Sequence, residues 1–459
     1  MKKIGKSLIL LLFILAAAAA ALVTGREKEN DKSVLTYEES GVPLYQRMCR
    51  IAAGYRIEED MEETVLPSSY DCRKEGRSVP VRDQGQYGTC WAFASLTALE
   101  TSLMPEEQLD FSRDHLNYHN PYQMSTEDGG SYIMSVAYLT SWQGPVLEKE
   151  DPYGDQTSPD NLETVRHVQE VRMPAAGDFE AIKRNVYLYG GVESSLYMDF
   201  TDPSEDSAYY SRKNASYCYK GENTPNHDIV IIGWDDSYPA KKFRKTPEGD
   251  GAFICQNSWG KSFGDEGIFY VSYYDANIGN YNVAYTRTEA SDNYDVIYQS
   301  DLCGWCGQVG YNSDKACFAN VYEAEDAQEL QAAGFYATGD GTRYRLAVLK
   351  NFEEPSMLKD VIYTQSGYLR DPGYYTVKLE KAVSVEKGER FAVVVQITTP
   401  ESRYPIAVEF LSEALGGAVV LDDGEGYISA DGNQIWERVE TTQNSNLCLK
   451  VYADKKNRR

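Results

Sequence analysis

The feature that most constrains this 459-residue chain is a break in its periodicity at 288–295, TEASDNYD. Ahead of the break, helical and strand signals mix. AFASLTALETSL (92–103), SYIMSVAYLTSW (131–142) and DFEAIKRNVYLY (178–189) read as helices, the last with an acidic residue at its start. GGVESSLYM (190–198), HDIVIIGW (227–234), GAFICQN (251–257) and GIFYVSYY (267–274) read as strands. Helices first and strands later is an α+β order. Beyond Ser291 come short β-rich runs between turn signals, among them FANVYEA, LQAAGFYA, YRLAVLK, GYYTVKL, RFAVVVQITT, PIAVEFL and LCLKVYA. Their spacing predicts an antiparallel β-sandwich. The expected organisation is an α+β unit over 66–290 and a sandwich over 293–455, each with its own core.

The first 25 residues carry Lys2, Lys3 and Lys6 ahead of an apolar run from Leu8 to Val23 that includes an alanine tract. That pattern predicts a signal peptide over 1–25, with an uncleaved N-terminal anchor as the alternative, and an exported chain, secreted or at the cell surface. Residues 26–65 end in EEDMEE (58–63) and read as a short pro-segment or N-terminal arm. The formal charge is −25, and −28 without the three lysines of the signal. Such a surface repels phosphate backbones, so no nucleic acid partner is expected. Nine cysteines, at 49, 72, 90, 218, 255, 303, 306, 317 and 448, leave at least one unpaired in an exported chain, and Cys90 is the candidate. For Cys303, Cys306, Cys317 and Cys448, disulfides are expected rather than a zinc site. No metal or cofactor is expected.

The stretch QGQYGTCWAFA (84–94) places Cys90 after a glycine-punctuated turn, in the first turn of a helix. The positive end of a helix dipole favours the thiolate, the form that attacks carbonyls. Such a nucleophile needs a histidine and a group to orient it. His115 and His119 stand in the polar, loop-like SRDHLNYHN, and His167 between charged residues in RHVQE; all three read as solvated. His227 instead opens the apolar run DIVIIGW, where a strand can hold its ring, 137 residues after Cys90. On the next strand, Asn257 can accept the imidazole N–H and fix the tautomer, with Trp259 covering that bond. Gln84 can point its amide N–H at a developing oxyanion together with the Cys90 backbone N–H. Cys90 and His227 are expected to titrate as a coupled pair, with thiolate formed well below the ordinary thiol value of about 8.5.

Taken jointly, QGQYGTCWAFA, NHDIVIIGW and QNSWGKSFGDEGIFYV resemble the papain-like cysteine peptidases, and LPSSYDCRKEGRSVPVRDQG is similar to the mature N-terminus of that family. The resemblance covers about 66–274. It implies Cys90 as nucleophile, His227 as general acid/base, Asn257 as orienting residue and Gln84 as oxyanion donor. Gly129 and Gly130 of DGGSY would pair with an extended peptide, with Asn226 and Trp259 beside them in the cleft. Tyr87 stands where many relatives have a half-cystine and Cys72 where they have tryptophan, so the familiar disulfide beside the site is missing. The loop DDSYPAKKFRKTPEGD (235–250) is expanded, and the N-terminal arm is too short for the usual helical inhibitory prodomain.

Residues 293–454 resemble the lectin-like domain attached to bacterial papain-like peptidases, on YQSDLCGWCGQVGYNSDKACFANVYEAEDAQELQAAGFYA, GYYTVKLEKAVSVEKGERFAVVVQITTP and YPIAVEF. Tyr311, Tyr322, Tyr427 and Trp436 are its candidates for stacking on sugars, with packing as the plainer use. The reading is an exported thiol endopeptidase acting on protein or peptide substrates, with a cell-surface glycan or envelope component as a possible partner of the sandwich. A noncatalytic adhesin on a peptidase-like scaffold and a cell-wall peptide amidase are the alternatives.

Overall fold

A computed structural model describes residues 34–35, 64–122, 129–199, 206–410, 419–433 and 435–456, with backbone pairing alone for 34–35. The signal segment and nearly all of the arm lie outside these residues. Among the described residues no helix is long and apolar enough to cross a membrane.

In the first half, helix α1 (Cys90–Leu103) is followed by α2 (Arg113–His119) and α3 (Tyr132–Thr140). Strand β1 (Arg166–Arg172) leads to α4 (Phe179–Leu188), where the Asp178 carboxylate caps the helix by accepting the Ala181 N–H at 2.9 Å. Strands β2 (Val192–Leu196), β3 (His227–Asp235), β4 (Ala252–Gln256), β5 (Ile268–Ser272) and β6 (Asn282–Ala290) complete the unit. The second half is built chiefly of β7 (Lys315–Glu323), β8 (Gln328–Ala337), β9 (Thr342–Lys350), β10 (Tyr363–Leu369), β11 (Gly373–Val385), β12 (Arg390–Thr398) and β13 (Leu449–Lys455). These strands pair antiparallel, and a core containing Phe318, Leu346, Val395, Phe335 and Val451 fills the space between the sheets.

The second half has a core of its own, and the two halves also share a sheet and a buried cluster. One sheet of 13 strands runs through both, its path crossing β13, β8, β11, β1, β6, β2, β3, β4 and β5 in that order. The joint is the β11–β1 ladder, in which Gly373, Tyr374 and Tyr375 face Arg172, Val171 and Glu170. Gly373 has φ +145°, and a Cβ there would fall 1.9 Å from the Val171 carbonyl oxygen, so the joint requires glycine. Tyr336, Tyr374, Cys303 and Cys448 of the second half belong to the same buried cluster as Trp91, Ala137 and Val171 of the first.

Three sequence expectations need correction. SRDHLNYHN is helix α2 rather than a loop: its polar face is buried because Arg113 makes a two-pronged ion pair with Glu100 of α1, at 2.6 and 2.9 Å. Two of the histidines read as solvated are instead packed inside. Buried His115 meets the Tyr138 hydroxyl through Nδ1 at 2.7 Å and stacks on the half-buried His119, while His167 stacks on Trp142 at 3.8 Å and meets Asn293 Oδ1 at 2.7 Å. Finally, Cys303, Cys306, Cys317 and Cys448 are free thiols where bridges were expected, as are the other four described cysteines, Cys90 among them as expected, and most of the eight sit in the apolar interior as small hydrophobes. The expanded loop 235–250 packs on itself, burying Tyr238 and Phe243 against Cys218 and Ala252.

Candidate active site

The turn before Cys90 is held by hydrogen bonds rather than a disulfide. Gly85 has φ +63° and donates its N–H to Asp83 Oδ1 at 2.9 Å. Gln84 donates Nε2 to the Tyr87 carbonyl at 2.9 Å and accepts Ser258 Oγ on its Oε1 at 2.6 Å. Tyr153 bridges the turn, donating its hydroxyl to the Gln84 carbonyl at 2.9 Å and meeting Thr89 Oγ1 at 2.7 Å. Its ring packs edge-on against Tyr87 and Phe93. Tyr87 and Tyr153 thus tie the segment together at the position where relatives use a half-cystine.

Cys90 is the first residue of α1 and is partly buried, with the backbone amides of Trp91 and Asp228 acting in favour of its thiolate. Asp228 follows His227, the first residue of β3. His227 Nε2 lies 2.7 Å from Asn257 Oδ1, and the Trp259 indole packs against the ring at 4.5 Å. The Ser258 N–H also donates to Asn257 Oδ1, at 2.8 Å, which fixes the amide with its oxygen toward the histidine. An oxygen can only accept, so Nε2 carries the hydrogen and Nδ1 is left as the basic nitrogen.

Burial acts on both partners. It pushes the Cys90 thiol up to about 12, with the Asp228 carboxylate adding to the effect, and the Trp91 and Asp228 amides opposing it. Burial lowers His227 to about 4 against the pull of the Asn257 bond. Each charge alone is therefore disfavoured. A proton passed from Sγ to Nδ1 creates both at once, with no net charge, so thiolate and imidazolium are expected as a pair or not at all.

Gly129, with φ +80°, and Gly130 lie beside the nucleophile helix; a Cβ on Gly130 would fall 2.4 Å from the Trp91 ring. Asn226 is engaged with the backbone: its Oδ1 accepts the Met198 N–H at 2.8 Å and its Nδ2 donates to the Met198 carbonyl at 3.1 Å, tying β3 to the end of β2. Of the aromatic residues singled out in the second half, Tyr427 is in a packed core, and the half-buried Tyr322 packs against one while donating its hydroxyl to the Leu449 carbonyl at 2.7 Å. Tyr311 and Trp436 are half-buried against the same cores.

Reading the sequence missed a set of polar groups behind the nucleophile. The Asp228 carboxylate accepts Ser195 Oγ, and Glu193 accepts Ser95 Oγ at 2.6 Å. The signal was present, since acids stand in two otherwise apolar or small-residue strands, GGVESSL and HDIVIIGW. Tyr153 and Ser258 carried no signal of their own.

Residues 66–288 match the model of the papain family of cysteine proteases and residues 297–453 that of the lectin-like domain. Among curated proteins, mouse (Mus musculus) cathepsin K is 31% identical over 215 residues, which cover 44% of this chain and 58% of that protein. A cathepsin L-like peptidase of Aedes aegypti is 28% identical over 236 residues, 47% of this chain and 62% of that protein. The chain thus spans about three-fifths of the length of these curated relatives. Among solved structures, the cysteine protease and lectin-like domains of Cwp84, a surface layer associated protein of Clostridium difficile, superpose with a TM-score of 0.76 at 24% identity, over 93% of this chain and 99% of that one. The same protein after propeptide cleavage gives 0.72. These structures share the fold.

Proposed function

From a chain whose residues 66–288 belong to the papain family of cysteine proteases and whose residues 297–453 belong to the lectin-like domain family, we propose a thiol endopeptidase that cleaves protein or peptide substrates through an acyl-enzyme on Cys90. The observation that carries the reading is the His227–Asn257 hydrogen bond, which leaves Nδ1 as the nitrogen free to act as base. Nδ1 takes the Sγ proton as the sulfur attacks the scissile carbonyl carbon. The oxyanion receives the Cys90 backbone N–H and the second hydrogen of the Gln84 amide, whose first is spent on Tyr87. The imidazolium returns its proton to the leaving amine, and water then releases the acid by the same route. Gly129 and Gly130 offer a backbone edge to an extended substrate. The functional units run over 66–290 and 293–455, behind a signal peptide at 1–25 and an arm at 26–65.

An exported, cell-surface or secreted location is supported by the basic and apolar first 25 residues and by the surface layer association stated for the structural neighbour. The lectin-like unit then serves as the contact with an envelope component or glycan. The test is hydrolysis of an unstructured protein by the mature chain. Cleavage that is abolished in Cys90→Ala and His227→Ala is expected. Equal activity in the variants would take the chemistry away from Cys90, and glycan binding by a wild-type chain that cleaves nothing returns the molecule to the adhesin reading.

A further inference from the structure

The basic run inside the expanded loop, Lys241, Lys242, Arg244 and Lys245, has no role in the acyl-transfer scheme. β3 starts at His227 and β4 leads into Asn257, so the loop joining the other ends of these paired strands lies at the far end of the hairpin, roughly 25 Å from the histidine along β3. A second segment fixes it there. Asn214 Nδ2 and Ser216 Oγ both donate to the Lys242 carbonyl at 2.8 Å, and the Tyr238 hydroxyl donates to the Asn214 carbonyl at 3.0 Å. These bonds bring Arg212 and Lys213 beside the run, and the Arg212 backbone N–H and the Arg244 guanidinium meet the same carboxylate, Asp206, at 2.7 and 3.5 Å. All six cations are exposed. Among the described residues, Arg244 with Asp206 is the one ion pair that any of them makes. The loop's own acids are each held by a partner of their own: Asp235 by Ser237, Asp236 by Lys183 and Tyr273, Glu248 by Lys220, and Asp250 by the Ala240 N–H. Two interlocked segments thus gather these cations on one face of a chain whose formal charge is −25.

We propose that this face docks a linear anionic glycopolymer, a sugar chain bearing phosphate or carboxylate groups, and recognises it by charge. The make-up of the face selects that class of partner. Among the described residues, no large exposed apolar side chain lies in 206–214 or 238–247, and Phe243 is buried. The face therefore lacks the apolar centre of a protein interface and has nothing to insert among lipid tails. Its two aromatic rings are covered, with Lys245 Nζ 4.3 Å over the Tyr209 ring and Lys242 Nζ 4.6 Å over the Tyr238 ring, which leaves no platform for stacking nucleic-acid bases. What remains is a strip of guanidinium and ammonium groups, the complement of a flexible chain of repeated anions. Charges are screened beyond about 8 Å at physiological ionic strength. A thin polymer confined to the strip feels these cations rather than the acidic remainder, whereas a duplex would lie against both. Because the face and the cleft stand at opposite ends of the hairpin, a molecule anchored in this way keeps its cleft open to protein substrates. An anionic polymer of the envelope suits the exported location proposed above.

The test measures, by fluorescence anisotropy, binding of the full chain to labelled poly(glycerol phosphate), polygalacturonate and neutral dextran. At least one of the two anionic polymers is expected to bind and dextran is not; the one that binds more tightly identifies the charged group. Raising the salt from about 50 to about 200 mM should weaken binding by about 10²-fold, the scale for a handful of neutralised anions on a single-stranded polymer. The double variant Lys213→Glu, Lys241→Glu changes two exposed side chains of the face and should lose at least about 10-fold in affinity at low salt with an unchanged Tm. Lys381→Glu with Lys387→Glu changes the net charge equally at exposed lysines of the second half, and should bind as the wild type does. Equal losses in the two double variants would reduce the effect to net charge and overturn the proposal. So would the absence of binding to both anionic polymers at low salt, or tighter binding to duplex DNA or to phosphatidylglycerol vesicles than to either polymer.

Discussion

His227 Nε2 lies 2.7 Å from Asn257 Oδ1, and the amide is held in that orientation by the Ser258 N–H on the same oxygen. The acceptor therefore dictates the tautomer. Asn257→Ala removes the acceptor and leaves the Trp259 ring contact, so the imidazole keeps its position but loses its preferred tautomer. The expected loss is part of the roughly 10²–10⁴-fold that a positioned acid/base contributes, read mainly in kcat. Asn257→Asp, which restores an acceptor, should recover part of it. An Asn257→Ala enzyme with normal kcat would show that the tautomer is set elsewhere.

Burial raises Cys90 and lowers His227, which fixes the sign of the pH response. A lone thiol in this environment would ionise only in strongly alkaline solution, toward about 12, and a lone imidazole would take a proton only below about 4. The ion pair escapes both limits because its charges compensate. Alkylation of Cys90 by iodoacetamide should then reach a plateau well under pH 8 and persist into mild acid. In Asp228→Asn, with one opposing negative charge removed, the lower limb should move to more acidic pH. A wild-type rate that rises only in the alkaline range contradicts the pair.

The β11–β1 joint makes the two halves one folding unit. Gly373→Ala places a methyl against the Val171 carbonyl at a backbone angle that L-residues rarely adopt, at a cost on the order of 1–3 kcal/mol. One cooperative transition at a lowered Tm is expected. A variant that melts in two steps, with the first half unchanged, would mean that the halves unfold independently despite the shared sheet. Ending the chain near Ser291 strips Tyr336, Tyr374 and Cys303 from the shared cluster, and so is expected to leave an aggregation-prone first half.

Much of this architecture was legible in the sequence because it depends on local pattern. The helix at 90–103 begins where the glycine turn ends, Asp178 caps its helix as an acid before an amphipathic run should, and His227 and Asn257 sit at strand ends in the order the chemistry needs. What escaped depends on contacts between distant segments. Arg113 in a polar stretch becomes interior because Glu100 waits on another helix, and RHVQE becomes a strand because Arg287–Ala290 of β6 pairs along it and Tyr375 meets Glu170 at its end. Polar residues whose partners are remote look solvated in sequence, and His115, His167 and the pair Glu193 and Asp228 are cases of this.

The central claim, a covalent intermediate on Cys90, is tested most directly by rapid acid quench during turnover of a peptide p-nitrophenyl ester, followed by mass analysis of the peptide containing Cys90. We expect a burst of nitrophenol close to one equivalent and the acyl mass on Cys90, with neither in His227→Ala on the same timescale. Steady turnover with no burst and no acyl mass on Cys90, or the acyl group found on another residue, would contradict the account.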